Sequence, residues 1–436
     1  MTIVFLLITA VSSVICLYYN SNMFYSYIAF LPIALFTFTF FGQNLFINLR
    51  QSYVYYFQAI IRYCLVPIGI SLGNFLGNGD ISNNGNIAIL YMIVELIAIF
   101  ALFFYQDHKF KNTHKSNNVI FISKNYWLYF FVVLMLLIIL FSGFLSKVNV
   151  IWNLNNYVQR VVIDKEAIES SSIGGLLFTP FKIATILIIT SINLKGKSLI
   201  NSFKIVLLIL LMGVSASFIV GTSRFSVVTF ILPFYFLLIS IFNTKTMKLI
   251  NIGTVAIIFS VVLITSIAKF TRDDNIVAVD NILTTSSLNA YFSGVGNVAT
   301  GIDAFESITE KQYGRFFLND LFQNVPILSR QTNDTYKSNF IYNKQVYNHN
   351  LFQDQIVPLS IAGLFHFDIF GIGLYCFIFL SLSFYFERKG RMEEYLPYKY
   401  VFFSLMFSFS LVFMLNIGSM IAVLIKMFLF TYLLFY

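Results

Sequence analysis

Four ionisable residues stand inside long apolar runs: Arg62, Glu95, Lys182 and Lys426. Placing a charge at mid-bilayer costs roughly 2.5–3.5 kcal/mol on insertion scales, so each of them needs a partner or a task. Arg62 and Glu95 fall at similar depth in consecutive runs, which predicts a buried ion pair that fixes helix register and does no chemistry. Lys182 lies about 12 Å from the outer end of its run at 1.5 Å per residue. Apart from Glu95, no acid in the middle of a run is available to it. Two readings stay open: it snorkels or meets a loop carboxylate, or it faces an outward cavity and binds an anion. Lys426 has the same two readings.

A second set of chemically capable groups lies between the runs. The segment FIVGTSRFSVV, ending at Val228, places Arg224 beside a turn that Gly221 permits. Such an arginine either sits near lipid headgroups or grips a phosphate in bidentate fashion. A long polar stretch adds Arg272, Arg315 and Arg330, and ends in YNKQVYNHNLFQDQIVPL at 342–359. Tyr, Asn, Gln, Asp and His beside aromatic faces are what sugar binding needs: partners for hydroxyls and flat apolar surfaces. Asp354 and His366 are candidate bases for an acceptor hydroxyl. The plainer readings are a solvated loop acid and a structural histidine. The run NAYFSGVGNVATGIDAF (289–305) carries Gly294, Gly296 and Gly301, small residues that let helices or a ligand approach closely.

The elements that must position these groups are apolar helices. The 436 residues are 58% hydrophobic and 11% charged, against about a quarter charged in soluble domains, so lipid is the expected solvent for most of the chain. Runs long enough to cross a bilayer fall at 2–19, 24–41, 54–72, 86–105, 126–146, 174–192, 202–220, 224–242, 250–269, 366–386, 398–416 and 419–436. The expected fold is therefore all-α and polytopic, with about 12 transmembrane helices. Residues 1–269 hold nine of them. Residues 270–355 form a large extracytoplasmic loop, read as a small helical cap, and 356–436 hold the last three. The net charge is +9. With both termini inside, the inner loops collect Arg50, Lys109, Lys111, Lys115, Lys124, Lys195, Lys197, Lys204, Lys245, Lys248, Arg388, Lys389, Arg391 and Lys399. The loop GNFLGNGDISNNG (73–85) has no basic residue. That asymmetry places the N- and C-termini in the cytoplasm and makes nucleic acid an improbable partner. Cys16, Cys64 and Cys376 all fall in apolar runs, so neither a disulfide nor a metal site is expected from them. Nothing at the N-terminus marks a cleavable signal, and residues 2–19 read as a retained first helix.

The chain resembles the Wzy family, the oligosaccharide repeat-unit polymerases of bacterial O-antigen, capsule and exopolysaccharide pathways. The architecture carries the resemblance over most of the chain. The residues carry it more locally, in GTSRF (221–225), NAYFSGVGNVATGIDAF (289–305) and QIVPLSIAGLFHFDIFGIG (355–373). Some members have an Arg-x10-Gly pattern, and none of Arg160, Arg224, Arg272, Arg315 or Arg330 has a glycine eleven residues on. The resemblance implies glycosyl transfer at the outer face of the bacterial plasma membrane, between oligosaccharides linked to undecaprenyl pyrophosphate, with no metal or nucleotide-sugar cofactor. A chain-length regulator is a usual partner of the family. Such a reaction needs cations for the leaving pyrophosphate, for which Arg224, Arg272, Arg315, Arg330 and Lys182 are the candidates. It also needs a base, for which Asp354 and His366 are the leading choices. A flippase of the same lipid-linked unit and an O-antigen-type ligase are the alternatives. An ion- or solute-coupled transporter is a weaker one, because no matched Pro/Gly-broken runs stand out.

Overall fold

The computed structural model describes residues 2–42, 50–74, 82–110, 119–122, 126–151, 173–195, 201–220, 224–242, 244–270, 284–323, 325, 328–347 and 355–435. In chain order its first helices are α1 (Thr2–Tyr19), α2 (Phe30–Phe41), α3 (Arg50–Ile60), α4 (Val66–Ser71), α5 (Gly85–Phe110) and α6 (Tyr126–Phe141). Then come α7 (Ile173–Lys195), α8 (Asn201–Ser217), α9 (Arg224–Ile241) and α10 (Thr244–Phe270). The polar stretch contributes α11 (Thr285–Tyr291), α12 (Val295–Glu306), α13 (Tyr313–Phe322) and α14 (Ser338–Tyr347). The chain closes with α15 (Leu359–Phe367), α16 (Leu374–Met392), α17 (Leu396–Ser410) and α18 (Ile417–Ile425). The described strands, β1 (Val148–Val150) and β2 (Phe218–Val220), form one short antiparallel pair. The fold is thus all-α in class.

Among the described residues, four helical segments are long and apolar enough to cross a membrane: Met23–Phe41, Ser52–Ser71, Gly85–Gln106 and Leu177–Lys195. Shorter apolar helices accompany them, among them Ile3–Tyr19, Tyr126–Phe141 and Ser202–Ser217. This set is consistent with an integral membrane protein. Several expected runs differ in detail. The run 202–220 stops as a helix at Ser217, because Phe218–Val220 pairs with Val148–Val150. The run 398–416 stops at Ser410, and 419–436 passes from α18 into a wider π-helical turn that begins at Lys426. The largest departure is 366–386, expected as one span. There α15 and α16 meet at 107° across a short 3-10 turn.

The chain divides into two compact units that follow packing and not chain order. The first comprises Met1–Thr113, Val279–Tyr385 and Ser408–Val423. In it, α3 and α4 are joined by a π turn at Ile61–Leu65. Pro67 explains the widening: it offers no N–H, and its ring would crowd the carbonyl four residues back in a regular helix. Residues 285–306, read from the sequence as part of an external loop, run alongside these apolar helices. A Cβ on Gly69 would strike Thr285, and the Phe292 ring lies 6.2 Å from that of Phe57. Phe57 is about 21 Å along the helix from Ser71 at 1.5 Å per residue. The chain then turns at Ser293, whose φ is 48°, and α12 climbs back until Asn84 donates to Asp303 and Glu306 at 2.8 and 3.0 Å. Small residues make this possible: α12 buries Gly296, Ala299, Gly301 and Ala304, and packs on α5, α14 and α15.

The second unit comprises His114–Ala278, Phe386–Phe407 and Leu424–Tyr436. Here α7 packs on α6 and α8, and α10 packs on α8 and α9. Ile139, Phe144, Val148 and Phe178 form a small core beneath the strand pair. The rings of Tyr398 and Tyr432 stack at 4.2 Å.

Candidate functional site

The elbow between α15 and α16 gathers more polar chemistry than any other described part of the first unit. One face of α13 lies along it. Residues 313, 316, 317 and 320 are spaced by three and four, so they share that face. Tyr313 donates to Asp368 Oδ2 at 2.8 Å. Phe316 packs edge-on against Phe365, and Phe317 against His366 and Phe367. Asp320 Oδ2 meets His366 Nε2 at 2.9 Å. Four side chains one or two turns apart on a single helix thus hold four consecutive residues of the elbow.

Asp320 is buried and nearly saturated. Oδ1 accepts the backbone N–H of Ser338 at 3.0 Å, and Oδ2 accepts a short bond from the Ser338 hydroxyl as well as the His366 contact. His366 is buried too, with Nδ1 2.6 Å from the Tyr375 hydroxyl. With Nε2–H donating to Asp320, Nδ1 is the acceptor and Tyr375 the donor, so both ring nitrogens are engaged. An imidazole held in this way orients its neighbours. Neither nitrogen is open to a sugar hydroxyl in the base role expected of His366. Truncating Asp320→Ala would orphan three buried donors at about 1–3 kcal/mol each. Asp320→Asn keeps one acceptor and lets the imidazole switch tautomer. The expected order of thermal midpoints in detergent is wild type, then Asn, then Ala. Equal midpoints for Asn and Ala would show that the network is not a stability element.

A second buried network lies one residue along α16. Arg62 Nη2 meets Glu95 Oε2 at 2.7 Å with both side chains fully buried. Cys376 Sγ donates to Glu95 Oε1 at 2.8 Å, and the Tyr63 hydroxyl lies 3.3 Å from the Met92 carbonyl. Gly373, with φ 81°, brings the start of α16 against the backbone of Glu95. Glu95 is about 15 Å along α5 from Gly85 at 1.5 Å per residue. The elbow therefore reaches the depth of the ion pair, and neighbouring residues Tyr375 and Cys376 serve the two networks.

The other expected residues are placed as follows. Lys182 Nζ donates to the Phe218 carbonyl at 3.0 Å and sits 4.2 Å from the centre of the Phe230 ring, so its partners are a carbonyl and a π face. Arg315 is exposed, donates to the Tyr336 hydroxyl at 3.1 Å and lies over the Tyr336 ring. Arg224 opens α9 and Arg330 lies in a 3-10 turn, but their side chains fall outside the described atoms. Arg272 and Asp354 lie outside the described residues altogether. Lys426 opens the π-helical turn after α18. Gly294, Gly296 and Gly301 serve packing: a Cβ on each would strike Asn289, Asn289 or Ile361.

Sequence reasoning missed Asp320, Tyr375, Tyr313 and Asp368. The amphipathic spacing of YGRFFLNDLF was the available signal. It places Tyr313, Phe316, Phe317 and Asp320 on one stripe, which marks Asp320 as a buried acid in need of donors. Among the described residues, no cluster of three or more His, Cys, Asp or Glu is placed to hold a metal ion. No protein-family model, no curated protein and no solved structure matches this chain.

Proposed function

We propose that this protein joins oligosaccharide repeat units carried on undecaprenyl pyrophosphate, acting as a polymerase of an O-antigen, capsule or exopolysaccharide at the outer face of a bacterial plasma membrane. In this reading the chain crosses the bilayer about twelve times, both ends are cytoplasmic, and 270–355 opens to the outer side. One observation supports it most: a polar, aromatic group of helices, α11 to α14, packs directly on long apolar helices. A substrate with a sugar head and a polyprenyl tail needs both kinds of surface in one molecule. The donor would be the glycan on its lipid diphosphate and the acceptor the terminal sugar of a second unit. Arg315, exposed and steadied by Tyr336, suits the leaving diphosphate. Arg224, Arg272 and Arg330 remain candidates for the same task, each testable by alanine substitution. Lys182 is already occupied by a carbonyl and a ring. The bilayer and a chain-length regulator are the further partners of this reading.

A flippase or other transporter of the lipid-linked unit is the second reading, and the 107° elbow favours it. Discontinuous helices that meet at the depth of buried charges are how many transporters build their sites. A ligase shares the chemistry of the first reading and differs only in acceptor. Deleting the gene and examining the surface glycan and the lipid-linked pool separates them. Single repeat units at the surface with no ladder are the expected result. Units trapped on the cytoplasmic leaflet with no surface glycan would replace the polymerase with a flippase, and long polymer left on its carrier would indicate a ligase. An unchanged glycan would remove all three.

A further inference from the structure

Asp368 holds a backbone conformation that an aspartate should avoid. Its φ of 56° and ψ of −151° lie in a region that glycine alone occupies readily. Glycines stand at 371 and 373 in the same elbow, so the chain supplies glycine where the turn requires it. At 368 it keeps a carboxylate. Backbone strain of this kind persists where a side chain has work to do.

The carboxylate is also set up to act. It is half-buried, and its two oxygens are steadied by the Tyr313 hydroxyl at 2.8 Å and the Ile369 N–H at 2.9 Å. Each oxygen keeps a further lone pair. Tyr91, about 9 Å along α5 from Gly85 at 1.5 Å per residue, lies within electrostatic range of Asp368 and Glu306. A half-exposed carboxylate at that level must face water, since facing hydrocarbon would be too costly. Phe367, 40% exposed, and Phe317 pack together next to it and offer the flat apolar surface on which a pyranose face rests. The hydrogen bond to Asp368 raises the Tyr313 phenol above its ordinary value, so Tyr313 remains an O–H donor throughout the neutral range.

We infer that Asp368 is the catalytic base of the transfer proposed above, an inference that rests on that reading. The carboxylate takes the proton of the acceptor hydroxyl as the acceptor oxygen bonds to the anomeric carbon of the donor. The bond from that carbon to the diphosphate oxygen breaks, its electron pair leaves on the diphosphate, and the proton passes from Asp368 to water. Tyr313 positions the carboxylate and His366 holds the elbow, while neither touches the reacting atoms.

The backbone makes a clean test available. Asp368→Gly removes the carboxylate and relieves the strain, and Asp368→Asn removes the charge while keeping the shape and the same strain. A deletion strain is complemented with the wild-type gene, either variant, or Asp354→Asn, at matched membrane levels. The surface ladder is read by gel and the thermal midpoint in detergent. Asp368→Gly is expected to match or exceed the wild-type midpoint and Asp368→Asn to stay near it, and both to lose about 100-fold or more of the polymer, the range for removing a general base. A full ladder from Asp368→Gly would overturn the assignment, and with loss in Asp354→Asn would pass it to Asp354. A lowered midpoint in both Asp368 variants would mark Asp368 as structural and overturn it as well. If the deletion strain keeps its ladder, the polymerase reading fails first, before any variant is compared.

Discussion

Alanine at Gly363 or at Gly371 is expected to destabilise the protein by about 3 kcal/mol or more. The two glycines face each other across the elbow. A Cβ on Gly363 would lie 2.0 Å from the Gly371 carbonyl oxygen, and a Cβ on Gly371 would lie 2.0 Å from that of Gly363. Real Cβ atoms do not approach other atoms so closely, and the obstacle in both cases is backbone, which cannot rotate aside. The elbow would have to open by an ångström or more. That movement would carry His366 away from Asp320 and Tyr375, and would shift the start of α16 against Glu95. Overpacking a well-packed interior costs about 1–3 kcal/mol, occasionally more, and a backbone clash that also disturbs a polar network belongs at the upper end. Against a total stability of about 5–15 kcal/mol, that is a large fraction of the whole and a clear drop in thermal midpoint. Gly314→Ala is the control: nothing lies within 4 Å of its Cβ position. Alanine in a helix is favoured over glycine by about 0.5–1 kcal/mol, so this variant should hold or gain stability. The readout is the detergent-solubilised monodisperse fraction and its thermal midpoint. A Gly363→Ala protein with the wild-type midpoint would mean that the elbow is looser than this contact implies.

That glycine pair also marks where sequence reading stops. The run 366–386 has continuous hydropathy, and hydropathy counts residues without seeing a bend, so a 107° elbow reads as one span. Glycines announce a close approach but not its partner, which here lies eight residues away in the same elbow. The strand pair at 148–150 and 218–220 is too short to leave a period in the sequence, and it ends α8 earlier than apolar length alone would. Asp320 and His366 are 46 residues apart. Their contact depends on α13 lying across α15, which no local pattern encodes. Arg62 and Glu95 were legible for the opposite reason. A charge in an apolar run is conspicuous, and one arginine and one acid in consecutive runs leave little choice of partner. The strain at Asp368 left no sequence signal, since an aspartate opening a 3-10 turn is ordinary in sequence.

The Arg62–Glu95 pair should be strongly destabilising to break and mild to replace. Glu95→Gln leaves the buried guanidinium without its counter-charge, and Arg62→Met leaves a buried carboxylate served, among the described residues, by Cys376 and Tyr63. Breaking a buried pair on one side costs about 3–5 kcal/mol, because the surviving charge remains in a medium that cannot solvate it. Two features adjust the expectation. Among the described residues, Arg62 Nε and Nη1 have no hydrogen-bond partner. The Phe413 ring lies 4.1 Å from the guanidinium carbon and supplies part of the missing stabilisation, worth about 2 kcal/mol or more when desolvated. The guanidinium is thus less well satisfied than the carboxylate, so Glu95→Gln should be the worse single variant. The double variant Arg62→Met with Glu95→Gln removes both charges, and it should recover much of what either single loses. A double-mutant cycle on thermal midpoints measures that coupling. Additive losses would show that the two charges do not stabilise each other. The same cycle also bears on function. A structural pair lowers stability and activity together, and the double variant restores both. If the double variant is stable yet inactive, the charges have a task beyond holding α3 and α5 in register. Of the two functional readings, only transport through the elbow would give a buried charge pair such a task.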